Sequence, residues 1–251
     1  MRERKKRTVC GADVMDAICH AYPDNIVTDD VAFEEGSYYE AICDEVQTAL
    51  RRIKQADLSY DRPPEGRPHW DEGGDPDEDP PAWVEEPSSY DLFFLALRGQ
   101  QFEFQSELEE EDFPEDADEP VLVVVPTVGR IGCAVGISVI APFAVIRFTE
   151  MEIPESGSGT IPDIWPHMFD LDGTELDVEA HYEGLFLEEG ITALRYLREA
   201  ITRILDEFSI RVLSEQELNM PIPELRLEPA RNVVPGKKSA TVEDALFFQT
   251  I

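Results

Sequence analysis

The sequence predicts an α+β fold: a mainly antiparallel sheet of about four to six strands, packed by a long C-terminal amphipathic helix and preceded by an N-terminal helical segment. Three observations carry this reading. Strand-like segments succeed one another from Tyr90 to Phe148 with no helical pattern between them. Apolar residues recur at three- and four-residue spacing from Glu189 to Phe208, and the same spacing occurs twice before residue 60. A chain of 251 residues can bury one substantial core. The expected organisation is a helical segment over 1–60, an acidic Pro-rich loop or linker over 61–89, and an α+β body over 90–251, continuous with the N-terminal helices.

Gly11 to Ala21 forms a short helix, with Val14, Ala17, Ile18 and Ala21 on one side and Pro23 as its stop. A second helix starts at Ser37, where Ser37 and Glu40 have capping-box spacing, and its stripe runs through Tyr39, Ile42, Val46, Ala49, Leu50 and Ile53. From Asp61 to Pro87 seven prolines forbid a long helix or an inner strand, and Trp70 and Trp83 are the large apolar groups there. Tyr90 to Leu97 and Gln101 to Gln105 then read as two strands of a hairpin turning at Arg98-Gly99. Val121 to Val125 is a strand ended by Pro126, and Ile131 to Phe148 supplies two more, broken near Ala141-Pro142. Ile153 to Pro166 is irregular. The helix at Glu189 to Phe208 buries Ile191, Leu194, Leu197, Ile201, Ile204, Leu205 and Phe208. A short strand at Ile210 to Leu213 leads to the capping box Ser214 to Glu217, and Thr241 to Phe248 reads as a docked apolar tail.

Charge narrows the choice of partners. The chain carries 54 acids and 21 Lys plus Arg, a net charge of −33. Such a surface repels nucleic acid and anionic membrane and steers a cationic protein towards it. The excess is concentrated, since residues 65–119 hold 20 acids and only Arg67 and Arg98 as bases. Adaptation to salt would spread it more evenly. No apolar run approaches the ~20 residues of a membrane helix. No secretory apolar region follows the basic start Arg2, Arg4, Lys5, Lys6 and Arg7, so a cytoplasmic location is expected. The cysteines Cys10, Cys19, Cys43 and Cys133 include no C-x-x-C pair and read as free thiols.

The catalytic motifs are thin. Asp170-Leu171-Asp172-Gly173-Thr174 resembles the nucleophile motif of haloacid-dehalogenase-type phosphotransferases. That resemblance implies attack on phosphorus by Asp170, acid–base help from Asp172, and a magnesium ion. It covers about six residues, Pro166 and His167 interrupt the strand the family places before it, and no Asp-Asp pair follows to complete a metal site. An acidic turn explains the same residues. Gly173 stands at the fourth position of a would-be calcium loop, where an EF-hand needs glycine about two positions later. His20, His69, His167 and His181 lack metal-ligand spacing, and Gly129, Gly132 and Gly136 match neither a dinucleotide fingerprint nor a P-loop. No catalytic set, cofactor or metal is read from the chain.

What remains is the run Glu109, Glu110, Glu111, Asp112, Phe113, Glu115, Asp116, Asp118 and Glu119, in which acids surround an isolated aromatic. Acids can meet a basic groove while the ring anchors the contact; the competing account is a solvated loop that keeps strand edges apart. The expected function is a binding module that neutralises a basic protein, without direct nucleic-acid or membrane contact. In its general build this is similar to bacterial toxin-immunity proteins, although no motif of theirs is matched. A mimic of nucleic acid and a phosphotransferase-like enzyme are the alternatives.

Overall fold

The computed structural model describes residues 14–27, 42, 45–62, 89–109, 122–154, 188–227 and 240–247. The Ser37 capping box, Trp70 and Trp83, and Asp170 and Asp172 lie outside these residues. The described elements are α1 (Val14–Ala21), β1 (Ile26–Val27), α2 (45–50), β2 (Ala56–Arg62), β3 (Tyr90–Glu109), β4 (Leu122–Ser138) and β5 (Phe143–Pro154). They continue with α3 (Glu188–Glu207), β6 (Arg211–Val212), α4 (Glu215–Leu218), β7 (Pro221–Ile222), β8 (Arg226–Leu227), β9 (Ala240–Thr241) and α5 (Val242–Leu246).

Helices and strands are mixed, and the principal sheet has five strands in the order β2-β3-β4-β5-β6. All neighbours are antiparallel except β5 and β6. The antiparallel meander β2 to β5 has each strand beside its predecessor in sequence, the common arrangement for strands that succeed one another without a helix between them. The four-residue connection 139–142 between β4 and β5 falls at Ala141-Pro142, where the break is expected.

Register shows that helices cover both faces of this sheet. Cys133 pairs with Phe148 and Ala134 with Arg147, so residues 147 and 148 project to opposite sides. The Arg198 guanidinium of α3 lies 6.0 Å from the Phe148 ring centre. On the other side Arg147 reaches Glu215 of α4 and Glu243 of α5, and Tyr90 meets Phe247 edge to face. Consequently the sheet centre is apolar on both sides: Leu92 to Leu97 and Phe143 to Ile146 are all buried. A two-sided core reads as continuous apolar runs rather than alternation.

Helix α3 contributes Leu194, Leu197, Ile201 and Leu205 to the core. It ends in a Schellman motif, with Ile210 N–H donating to the Leu205 carbonyl and Ser209 N–H to that of Asp206. Ser209 sits at φ 62°, the left-handed position usually given to glycine. Both capping boxes in the last third have complete geometry, Ser214 with Glu217 and Thr241 with Asp244. The apolar tail packs as expected, with Val242, Ala245, Leu246 and Phe247 buried. Tyr22 Oη donates to the Ala245 carbonyl at 2.8 Å, and β1 pairs in parallel with β8, tying the N-terminal segment to the C-terminal one.

Three expectations need correction. Arg98-Gly99 is not a hairpin turn: β3 runs unbroken from Tyr90 to Glu109 and its register with β4 shifts between Ala96 and Gln101. The extra residues form a bulge in which Gly99 takes φ 76°. Pro126 does not end its strand either, since β4 continues to Ser138. Among the described residues β5 pairs with β4 as far as Thr127, so no described ladder bond to β5 is forfeited at Pro126. Finally, residues 56–62 form the strand β2 at the edge of the sheet. Ala56, Leu58 and Tyr60 alternate with Asp57, Ser59 and Asp61 in a strand pattern. It is short and lies between the helical stripe that ends at Ile53 and the Pro-rich stretch from Pro63, so the expected helical segment over 1–60 absorbed it.

Candidate functional site

The bulge divides β3 into two parts with different neighbours. Before it, β3 is an inner strand between β2 and β4, and β2 pairs only with Leu92 to Leu97. After it, β3 and β4 continue together from Gln101↔Arg130 to Glu109↔Leu122. β5 accompanies β4 only as far as Thr127. Five register pairs, Gln105↔Pro126 through Glu109↔Leu122, therefore form a two-stranded ribbon among the described residues. At the usual rise of a strand it extends about 17 Å past the end of β5.

Glu109 is the last paired residue of β3. Glu110, Glu111, Asp112, Phe113, Glu115, Asp116, Asp118 and Glu119 belong to the connection 110–121 and lie outside the described residues. Along the flank, Gln101, Glu103 and Gln105 are exposed at every second position. Across from them, Pro126 is exposed and Val124 is 55% exposed, an uncovered apolar residue. The flank thus exposes one acid, Glu103, and two amides on β3, with Pro126 and Val124 exposed on β4. Sequence reasoning missed these residues because it placed a turn at Gly99. The available signal was the pair of β-prone segments of similar length, Gln101 to Glu109 and Val121 to Val128, bracketing one acidic insert.

Other clusters of charge have structural duties. Arg147, 9% exposed, is gripped by two carboxylates: Nε and Nη2 reach Glu215 at 3.2 and 3.4 Å, while Nη1 and Nη2 reach Glu243 at 2.8 and 3.0 Å. Burial works against its charge, but Glu243 and Glu215 together outweigh that and raise its pKa. This node joins β5 to α4 and α5. At the sheet edge Asp57 accepts from Arg98 at 2.8 Å and from Arg130 at 3.5 Å, pinning the bulge to β2. Arg130 also donates to Ser59 at 2.8 Å.

Two further carboxylates, Asp91 and Glu150, are buried on the α3 side of the sheet. Asp91 is level with Ile137 and Ala144, whereas Glu150 is level with Ile131. Six residues of β5 therefore separate their levels, about 20 Å. The separation exceeds the ~10 Å upper limit of a cooperating acid–base pair in glycoside hydrolysis, so they are not such a dyad. Burial pushes the Cys133 thiol pKa far up, against a smaller opposing effect of Arg198, which makes it a core residue and a poor nucleophile. Cys19 and His20 are exposed on α1. Cys10, Cys43, His69, His167 and His181 lie outside the described residues.

Among the described residues no group of three or more His, Cys, Asp or Glu could hold a metal ion. No described helix is long and apolar enough to cross a membrane. Comparison with protein-family models, curated proteins and solved structures finds no match.

Proposed function

We propose that this chain is a protein-binding module that engages a basic partner through the acidic run 109–119 and neutralises it by occupying its cationic surface. One observation carries the proposal: the run connects two strands that leave the sheet as a ribbon, with Glu109 and Leu122 as its last pair. On this reading the acidic segment that joins these strands is what the cationic surface of a partner engages. Concentrated charge there raises the encounter rate with a cation and falls in effect with salt. Blockade of this kind needs no bond making or breaking by the module.

The test uses two variants. In one, residues 110–121 are replaced by Asn-Gly, which closes the directly paired Glu109 and Leu122 with a two-residue hairpin turn. In the other, Glu109, Glu110, Glu111, Asp112, Glu115 and Asp116 become Ser or Asn. Both are expected to keep the wild-type circular dichroism. A basic protein retained by immobilised wild type from host extract, and by neither variant, supports the proposal. Retention of the same proteins by all three removes the run from function.

A further inference from the structure

The part of β3 beyond the bulge presents an edge as well as a face. β2 leaves β3 at Leu97, and no described strand pairs with the same side of β3 from Gln101 to Glu109. An edge of this length with no partner among the described residues is a template for another strand. Its side chains decide which strand is admitted. Gln101, Glu103 and Gln105 are exposed at a two-residue period, and the sequence continues that period with Glu107 and Glu109. A second copy of the same edge would set acids against acids, which opposes self-pairing. A strand with Lys or Arg at alternate positions would set a cation opposite Glu103 and, by the period of the sequence, opposite Glu107 and Glu109, with Gln101 and Gln105 as neutral acceptors.

From this geometry we infer that the partner docks by β-strand addition to β3 between Gln101 and Glu109, as an extended segment with basic residues at every second position. Main-chain bonds would supply affinity, and the alternate bases register and specificity. The inference rests on the proposal of a basic partner and adds how that partner is held. It also gives the bulge a role. By ending the β2 ladder at Leu97 while letting β3 continue, it opens the edge.

Peptides of roughly eight residues that alternate Lys and Val are the probe, titrated against the full chain at about 0.15 M salt, where the Debye length is ~8 Å. Two of them carry N-methyl groups, one on the odd-numbered and one on the even-numbered amides. Charge and composition match between these two, but only one set of amides can face β3. Strand addition predicts that one methylated peptide binds at least tenfold more weakly than the unmodified peptide while the other stays within about threefold. Amide exchange of residues 101–109 should slow with the binders alone. Glu103→Lys should weaken the unmodified peptide about tenfold with the fold unchanged. Equal affinity of all three peptides, or no slowing of exchange at 101–109, overturns strand addition. This leaves the acidic-run proposal standing, because that proposal is decided by the Asn-Gly variant, in which the β3 edge is intact.

Discussion

Gly132 shows how one residue fixes the shape of the ribbon's root. It pairs with Ala96, the last residue before the bulge, and with Thr149 on β5. A Cβ built there would approach the Leu95 carbonyl oxygen to 2.1 Å and the Ala96 Cα to 2.9 Å, both backbone atoms. Neither can rotate away, so the strands would have to separate. Gly132→Ala should therefore cost roughly 3 kcal/mol or more, above the usual overpacking penalty because main chain must move. Chemical denaturation would measure it. Gly99→Ala should cost less, roughly 1 kcal/mol, because its burden is only the positive φ and nothing lies within 4 Å. Similar costs at the two sites would mean that the close approach at Gly132 does not constrain the fold.

At the scale of elements, the last third of the chain is held by local signals that the sequence displays openly. Ser214 N–H donates to the Glu217 carboxylate at 2.9 Å, and Arg211 does so at 2.7 Å. The Ser214 backbone bond is the main cause of the lowered Glu217 pKa, with its hydroxyl and Arg211 adding to it against a desolvation cost. A carboxyl whose pKa is lower folded than unfolded stabilises above its unfolded value and loses that stabilisation as pH falls through the folded one. Wild type should exceed Glu217→Gln in stability by up to about 1 kcal/mol at neutral pH. The gap should close as the solution is acidified below the ordinary glutamate range; a gap independent of pH would assign the effect to packing. The end of α3 offers a gain instead of a loss. Ser209 holds a left-handed conformation while Leu205 and Ile210 close the Schellman motif beneath it, so Ser209→Gly should stabilise by roughly 0.5–1 kcal/mol. A lower midpoint on thermal unfolding would show that Ser209 contributes more than its backbone.

For the whole molecule, legibility followed how local each signal is. The Ser214 capping box, the Ala141-Pro142 break and the apolar tail depend on neighbours in sequence, and they stand in the structure where the pattern places them. The ribbon does not, because Gly99 specifies a left-handed residue and nothing in its surroundings distinguishes a bulge from a turn. Only the partner strand β4 decides, and its contribution through Pro126 is visible once β5 is known to stop at Thr127. The acidic run was legible as composition, but its place between Glu109 and Leu122 came from pairing.

That placement has an electrostatic consequence for the chain as a body. A net charge of −33 makes the folded state repel itself. At about 10 mM salt the Debye length is ~30 Å, so the acids of residues 110–121 interact with those of the rest of the chain. At about 0.5 M it is only a few ångström, and the run is decoupled. The thermal midpoint should therefore rise by several degrees between these concentrations of sodium chloride. The Asn-Gly variant, which lacks the seven acids of residues 110–121, should start higher and rise less, and the two should converge at high salt. If both proteins show the same increment, the run contributes nothing to the self-repulsion of the fold, and its charge acts only on whatever approaches it from outside.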